Sequence, residues 1–595
     1  MKEPGEWRRI PKMSFSSKEL SKRLKKAEGA TIKHAQRFVF KRWDSFREAR
    51  SKIAIWVLVL GVIIGATGLQ FWWYQASFST TTGASGGTYA EAVVGPVDTL
   101  NPLFARTSAE EAVGELLFSR LLQYDSTGHL NYDLADNMSL SDDHKTYTLS
   151  IRPDARWSDG LYVRARDVVF TVNLVKNAAT RATLTGWDSV QVQEIDDLTV
   201  SFTLPAVYAA FPHALRFLPV VPEHILRDVE PSQLREHSFS SSPIGSGAFT
   251  LRLVQEIDAK SGREVIHLAR NANYFKGEPK LDRVQLNVYS NTDSIKKALA
   301  ASEVNAAGGL SVLDASELNN KRYTVEFDPI NSGVFALFNT TSPNLQDQKV
   351  RAALRLATNT SALREEISSN LPALDLPIIP AQLTGQIPQP PAQNLEQAGK
   401  LLDEAGWRLD GSVRRKDGSS LNLNAVTIKN SDYEKALGIL SSQWRALGVT
   451  VTINVVDPTD ASQNVAQDIL QPRRFDVLLY QLTIGADPDV FAYWHSTQAS
   501  GGLNFSNYKN AIADDALSSA RTRVEPELRN AKYLTFVRQW LADAPAIGLY
   551  QATTQYVHTA GVQSSASTRQ LISPQDRYND IRYLTVGRQA VFMTP

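Results

Sequence analysis

Residues 53–74, IAIWVLVLGVIIGATGLQFWWY, form one apolar run, and no charged residue stands between Lys52 and Glu91. As a helix rising about 1.5 Å per residue, the run extends about 33 Å, which matches the hydrocarbon core of a bilayer. It predicts a transmembrane helix over 53–75. The apolar core exceeds that of a secretory signal peptide, and the small residues between Gly61 and Gly68 make a poor cleavage site, so the helix is read as an uncleaved anchor. Phe71, Trp72, Trp73 and Tyr74 cluster at one end, where amphipathic rings favour the headgroup interface.

The flanks orient the anchor. Residues 1–52 carry 16 Lys or Arg against 6 Asp or Glu, a net charge of +10, which leaves −9 for the remainder of a chain whose total is +1. Lys and Arg beside a transmembrane helix stay cytoplasmic, so a basic tail over 1–52 is expected inside and a large, mildly acidic body outside or in the periplasm. Within that tail, 14–50 reads as one or two basic amphipathic helices, either a positive stop signal that fixes topology or a surface suited to an anionic leaflet. The membrane alone accounts for these charges, and no nucleic-acid partner is inferred.

The exported part, about 500 residues, exceeds what a single core holds and predicts two or three domains. It contains no cysteine, which excludes disulfides, thiolate metal sites and thiol catalysis. Residues 76–87, rich in Ser, Thr and Gly, read as a flexible linker. Gly83 to Gly87 there fits G-x-S-x-G, but a nucleophile elbow needs a preceding strand and a following helix, so the match carries no chemistry.

From Tyr89 onward strands alternate with helices. Strands are expected over 89–94, 147–151, 199–204 and 449–456 and helices over 108–122, 167–176, 348–356, 395–405 and 433–447. Gly448 closes the last of these helices as its C′ residue. The pattern is that of an α/β body.

A series of motifs then appears in order: Leu100-Asn101-Pro102-Leu103; Leu117-Phe118-Ser119-Arg120-Leu121-Leu122; Trp157-Ser158-Asp159-Gly160 followed by Ala165 and Asp167-Val168-Val169-Phe170-Thr171; Pro243-Ile244-Gly245-Ser246-Gly247; and Leu401-Leu402-Asp403-Glu404-Ala405-Gly406-Trp407. Together they resemble the extracellular solute-binding proteins that serve peptide, dipeptide and nickel ABC importers. The resemblance covers about residues 88–590. It implies a two-lobed periplasmic-binding-protein-like (type II) fold with an extra third domain. On that analogy 88–127, 225–315 and 560–595 form lobe one, 128–224 the extra domain and 316–559 lobe two. The implied activity is capture of a peptide or similar polar solute between the lobes and its delivery to ABC transporter permease subunits. A monomer is expected, with no catalytic role and no cofactor. A surface sensor or chaperone-like protein using the same cleft is the rival reading.

Aspartate and glycine in Trp157 to Gly160 suit a turn over a packed indole. Pro243 to Phe249 lacks the Lys-Ser/Thr of a P-loop and reads as an interdomain turn. No His-x-x-x-His or His-Glu-x-x-His spacing occurs, so no metal ligand set is assigned. The pocket candidates come from the loop 474–510, whose small, acidic and aromatic residues suit a mostly apolar site with a few oriented polar groups. They are Asp487, Trp494, His495 and Asn504, the last matching a ligand-contacting position in peptide-binding relatives. Those relatives also imply an aspartate for the peptide's ammonium where this chain has Ile484, leaving Asp487 or Asp489 as substitutes. Arg106 and Ser108 are expected to face the cleft, with Arg106 as counter-charge for an anionic group.

Overall fold

Two long antiparallel strands, Tyr323–Phe338 and Ala546–Thr559, run through the middle of a ten-stranded sheet. The computed structural model describes residues 49–318, 322–457, 464–564 and 569–592. The basic tail therefore lies outside the described residues as far as residue 48, as do 565–568 and 593–595 of the C-terminal stretch assigned to lobe one. By chain contacts there are two units, one of residues 1–82 and 589–595, the other of residues 83–588.

In the first unit the apolar run is helical, Arg50–Phe78, with a mean hydropathy of 2.2 over its membrane-length part and none of that part buried against protein. The stretch 76–87, expected to be a flexible linker, is instead the end of this helix followed by the strand Ser79–Ala84, which pairs with the last strand, Gly587–Phe592. The β-branched threonines of STTTGA favour that extended form.

The second unit is built on the large sheet. On one side of the two long strands lie Val477–Thr483, Asn422–Ile428 and Thr450–Val456. On the other lie Ala306–Ala307, Thr88–Val94, Arg283–Tyr289, Arg263–Arg270 and Phe249–Asp258. The first half of Tyr323–Phe338 is only partly buried, whereas its second half is buried on both faces. There Val334, Ala336 and Phe338 enter one apolar cluster and Phe335 and Leu337 another, the period-two alternation of a strand covered on both sides.

Between the halves the register breaks, from Pro329 opposite Thr553 to Gly333 opposite Gln551. The break falls inside both long strands and within 316–559, the stretch expected to form lobe two. Asn331, within the break, holds the neighbouring loop: its carbonyl accepts from the backbone of Ile484 at 2.8 Å and Gly485 at 2.9 Å. The break leaves ladder hydrogen bonds unmade, and a pair of strands flexes most readily there.

The four-stranded sheet Ala135–Leu140, Thr146–Ile151, Thr199–Thr203, Gln191–Asp196 occupies the expected extra domain. It shares its core with the stretches expected to form lobe one, because Leu149 and Phe202 join Leu116 and Leu286 in a single apolar cluster.

Most expected elements appear within two residues, among them strands Thr88–Val94 and Thr450–Val456 and helices Ala165–Lys176 and Ser431–Arg445. Gly448 takes φ +84°, as a C′ glycine should. The helix expected over 108–122 ends at Leu117, and Leu122–Tyr124 is a strand. The reason is tertiary: the carbonyl of Leu117, which a continuing helix would use, accepts from the amide of Gly247 at 2.8 Å. A Cβ on Gly247 would stand 2.5 Å from the Leu117 carbonyl carbon, so glycine there permits the approach. Trp157 to Gly160 is a turn: the indole is fully buried, and Gly160, at φ +94°, returns its amide to the Trp157 carbonyl.

Candidate functional site

The helix Ser108–Leu117 is amphipathic in a way that builds one wall of a cleft. Ala109, Ala112, Val113, Leu116 and Leu117 are buried, while Ser108, Glu111 and Glu115, spaced by three and four, fall on the other face. Thr107 caps it. Its hydroxyl accepts from the Glu110 amide at 3.2 Å, and the Glu110 carboxylate accepts from Thr107 at 3.1 Å and Arg106 at 2.7 Å, a capping box that uses this acid locally.

Ser108, Glu111 and Glu115 border a cavity of about 460 Å³. Ser332, Gln481 and Thr483, from the lobe-two half of the sheet, face them, and Arg216 with Phe217 of the extra domain and the turn Ile572 to Gln575 close the sides. Five segments far apart in sequence thus meet around one space of ligand size.

Its charges are arranged unevenly. Glu115 accepts from Arg120 at 3.0 Å and from Arg216 at 3.1 Å, and Arg216 also reaches Asp576 at 2.9 Å. Two cations and two anions therefore close on themselves. Burial pushes Glu115 up, but Arg216 and Arg120 outweigh it and hold its pKa below the usual carboxylate range. Glu111 has less of this support, since Arg120 acts on it only through space and without an ion pair. Although open to the cavity, it is ringed by protein, and that loss of bulk water, followed by the charge of Glu115, raises its pKa. Among the described residues its hydrogen-bond partner is the Gln575 amide, and it has no ion pair.

Of the six residues picked from the sequence, Ser108 borders the cavity. Arg106 is exposed beside it but is not part of the lining. Asp487, Trp494, His495 and Asn504 have partners within the protein instead. Asp487 receives both guanidinium nitrogens of Arg529 at 2.7 Å, and Asp489 is 3.0 Å from Arg521. Arg521 in turn lies 4.8 Å over the ring of Tyr208, and its carbonyl accepts from Ala209 at 3.0 Å, so these acids sit where lobe two touches the extra domain.

Trp494 is 1% exposed and meets Trp540 edge-on at 5.6 Å. His495 stacks on Phe491 at 4.0 Å and caps the following turn through Thr497. Asn504 is fully buried. It donates to the carbonyls of His495 at 3.1 Å and Tyr508 at 2.8 Å and accepts from the Tyr508 amide at 3.2 Å. Ile484 is 4% exposed within the lobe-two core. Sequence reading missed Glu111, Arg120, Arg216 and Gln481. The polar stripe of Ser108, Glu111 and Glu115 on an otherwise apolar helix was the signal available for the first.

A family model described as bacterial extracellular solute-binding proteins, family 5 Middle, matches residues 129–504. The oligopeptide-binding protein AppA of Bacillus subtilis is 27% identical over 513 residues, 83% of this chain and 92% of that protein. A putative ABC transporter peptide-binding protein of Brucella ovis is 24% identical over 486 residues, 79% of this chain and 88% of the other. Among solved structures, AppA of Bacillus subtilis with a nonapeptide superposes with a TM-score of 0.70 at 22% identity, covering 85% of this chain and all of that one. NikZ of Campylobacter jejuni with Ni(L-His) gives 0.72 at 22% identity, covering 84% and 99%. The last two share the two-lobed fold. The chain belongs to the extracellular solute-binding proteins of family 5.

Proposed function

We propose that this family 5 solute-binding protein is a membrane-tethered receptor that closes its two lobes on a peptide or similar polar solute and hands it to an ABC importer in the same membrane. The observation that carries the reading is the cavity of about 460 Å³ bordered by both halves of the sheet, beside strands whose register breaks between those halves. A ligand that touches both lobes binds the closed form better than the open one and so shifts the equilibrium toward closure. Relatives that carry peptides favour that cargo, and the polar side chains around the cavity suit an extended backbone. The helix Arg50–Phe78 supplies the tether, with its basic flank inside, and the receptor acts as a monomer.

Isothermal titration of the full chain in nanodiscs with a random peptide pool tests the cargo. Micromolar binding, about 8 kcal/mol, is the expected result, and no heat with any pool refutes it. Alkaline carbonate extraction tests the tether: the full chain should stay in the membrane pellet, and release into the supernatant would remove the anchor from the proposal.

A further inference from the structure

We infer that the stretch expected to form lobe two carries a second binding site, apart from the cleft, at which Arg355 holds the carboxylate of a small organic acid with an apolar body.

The site is a cavity of about 430 Å³ that shares no lining residue with the cavity beside Ser108. Arg355, near the end of the helix Gln348–Ala357, and Thr360 and Ser361, at the start of the helix Thr360–Ile367, supply polar groups. Pro390, Pro391 and Ile547 supply an apolar wall. The volume lies in the range of small-molecule pockets.

Arg355 sets the charge. Its Nη1 donates to the carbonyl of Leu541, while its Nε is buried with no acceptor. Among the described residues no carboxylate pairs with it. Asp375, the acid in the same lining, is taken by Arg364 at 3.0 Å and by the Thr360 hydroxyl at 2.9 Å. Burial alone acts on the Arg355 guanidinium and pulls its pKa down to about 10, so it stays charged at neutral pH. Burial lowers Arg216, Arg529 and Arg577 too, but the carboxylates beside them outweigh it and raise the pKa of each. Arg355 is thus a cation largely withdrawn from water without an anion to offset it. A ligand that brings one meets it where screening is weak.

Two further groups favour the same ligand. The indole N–H of Trp540, fully enclosed in the same lining, has no acceptor. The helix Thr360–Ile367 is capped at the Ala362 amide by Asn359, which leaves the first-turn amides of Thr360 and Ser361 without an acceptor inside the helix, at the end where its dipole favours negative charge. Asp375 keeps a carboxylate in the cavity, and that repels a doubly charged phosphate more than a singly charged acid. The apolar wall receives the acid's hydrocarbon part.

Isothermal titration of the full chain in nanodiscs, with empty nanodiscs as the reference, tests the site. The probes are phenylacetate and isovalerate, their neutral amides, and inorganic phosphate. Wild type should bind at least one acid about tenfold more tightly than its amide and than phosphate. Arg355→Gln should lose about tenfold for that acid, and Arg355→Lys should keep part of the affinity, with cooperative thermal unfolding showing that both variants are folded. The assignment is overturned if neither acid binds wild type, if acid and amide bind equally, if phosphate binds as tightly as the acid, or if Arg355→Gln binds the acid as wild type does. Each of these outcomes leaves the reading of the first cavity standing.

Discussion

Asp328 lies on the long strand Tyr323–Phe338, one residue before Pro329 and the break in register. One of its carboxylate oxygens is buried with no hydrogen-bond partner, and burial, followed by the charge of Glu326, pushes its pKa up to about 6 from the ordinary 3.8. An acid whose folded pKa exceeds its unfolded one destabilises the fold when ionised. The cost is full above about pH 6, shrinks as the folded form takes up a proton, and vanishes below about pH 4. At 1.36 kcal/mol per unit the shift corresponds to about 3 kcal/mol, and because the group is only partly enclosed, solvent screening reduces this to about 1.5 kcal/mol. Asp328→Asn removes the charge and should stabilise the protein by that amount at pH 7.5. With about 2.1 cal/mol/K of unfolding entropy per residue and about 500 residues unfolding together, the melting temperature rises by about 1.5 °C. Differential scanning fluorimetry at pH 7.5 and pH 4 reads both values. The gain should be present at the first and absent at the second. A lower melting temperature at pH 7.5, or an equal shift at both, would refute the account of this carboxylate.

Asp487→Asn leaves Arg529 without its bidentate partner and should cost about 3 kcal/mol in thermal or urea unfolding, while Arg529→Met with Asp487→Asn should recover much of the loss. Gly247→Ala drives a methyl group against the backbone of Leu116 and Leu117 and should cost about 1–3 kcal/mol, seen as a lowered urea midpoint at constant slope. Asn504→Ala deletes three buried hydrogen bonds and should destabilise by about 2–3 kcal/mol; an unchanged melting temperature would show that Asn504 is not holding this loop.

Local patterns were legible and distant partnerships were not. The strand after Gly448 follows from a C′ glycine and a run of β-branched residues, both within a few positions of one another. The helix beginning at Ser108 was placed at its start but overrun at its end, because the Gly247 amide that takes the Leu117 carbonyl comes from another part of the chain. The same holds for the site. Asp487 and Asp489 read as available acids because nothing near them in sequence is basic, yet Arg529 and Arg521 reach them through the fold. Glu111 was not singled out, because its place at the cavity depends on segments that lie far from it in sequence.

The buried acid on the first strand of the sheet sets an order on manufacture. Glu91 is completely enclosed and accepts from Arg577 at 2.9 Å and Tyr578 at 2.8 Å, partners separated from it by 486 and 487 positions. A charge left in that place without them costs about 3–5 kcal/mol. The half of the protein translated first is thus completed last: its opening strand meets Arg283–Tyr289 and Ala306–Ala307 early, but the counter-charge for its enclosed acid arrives only with the far end of the polypeptide.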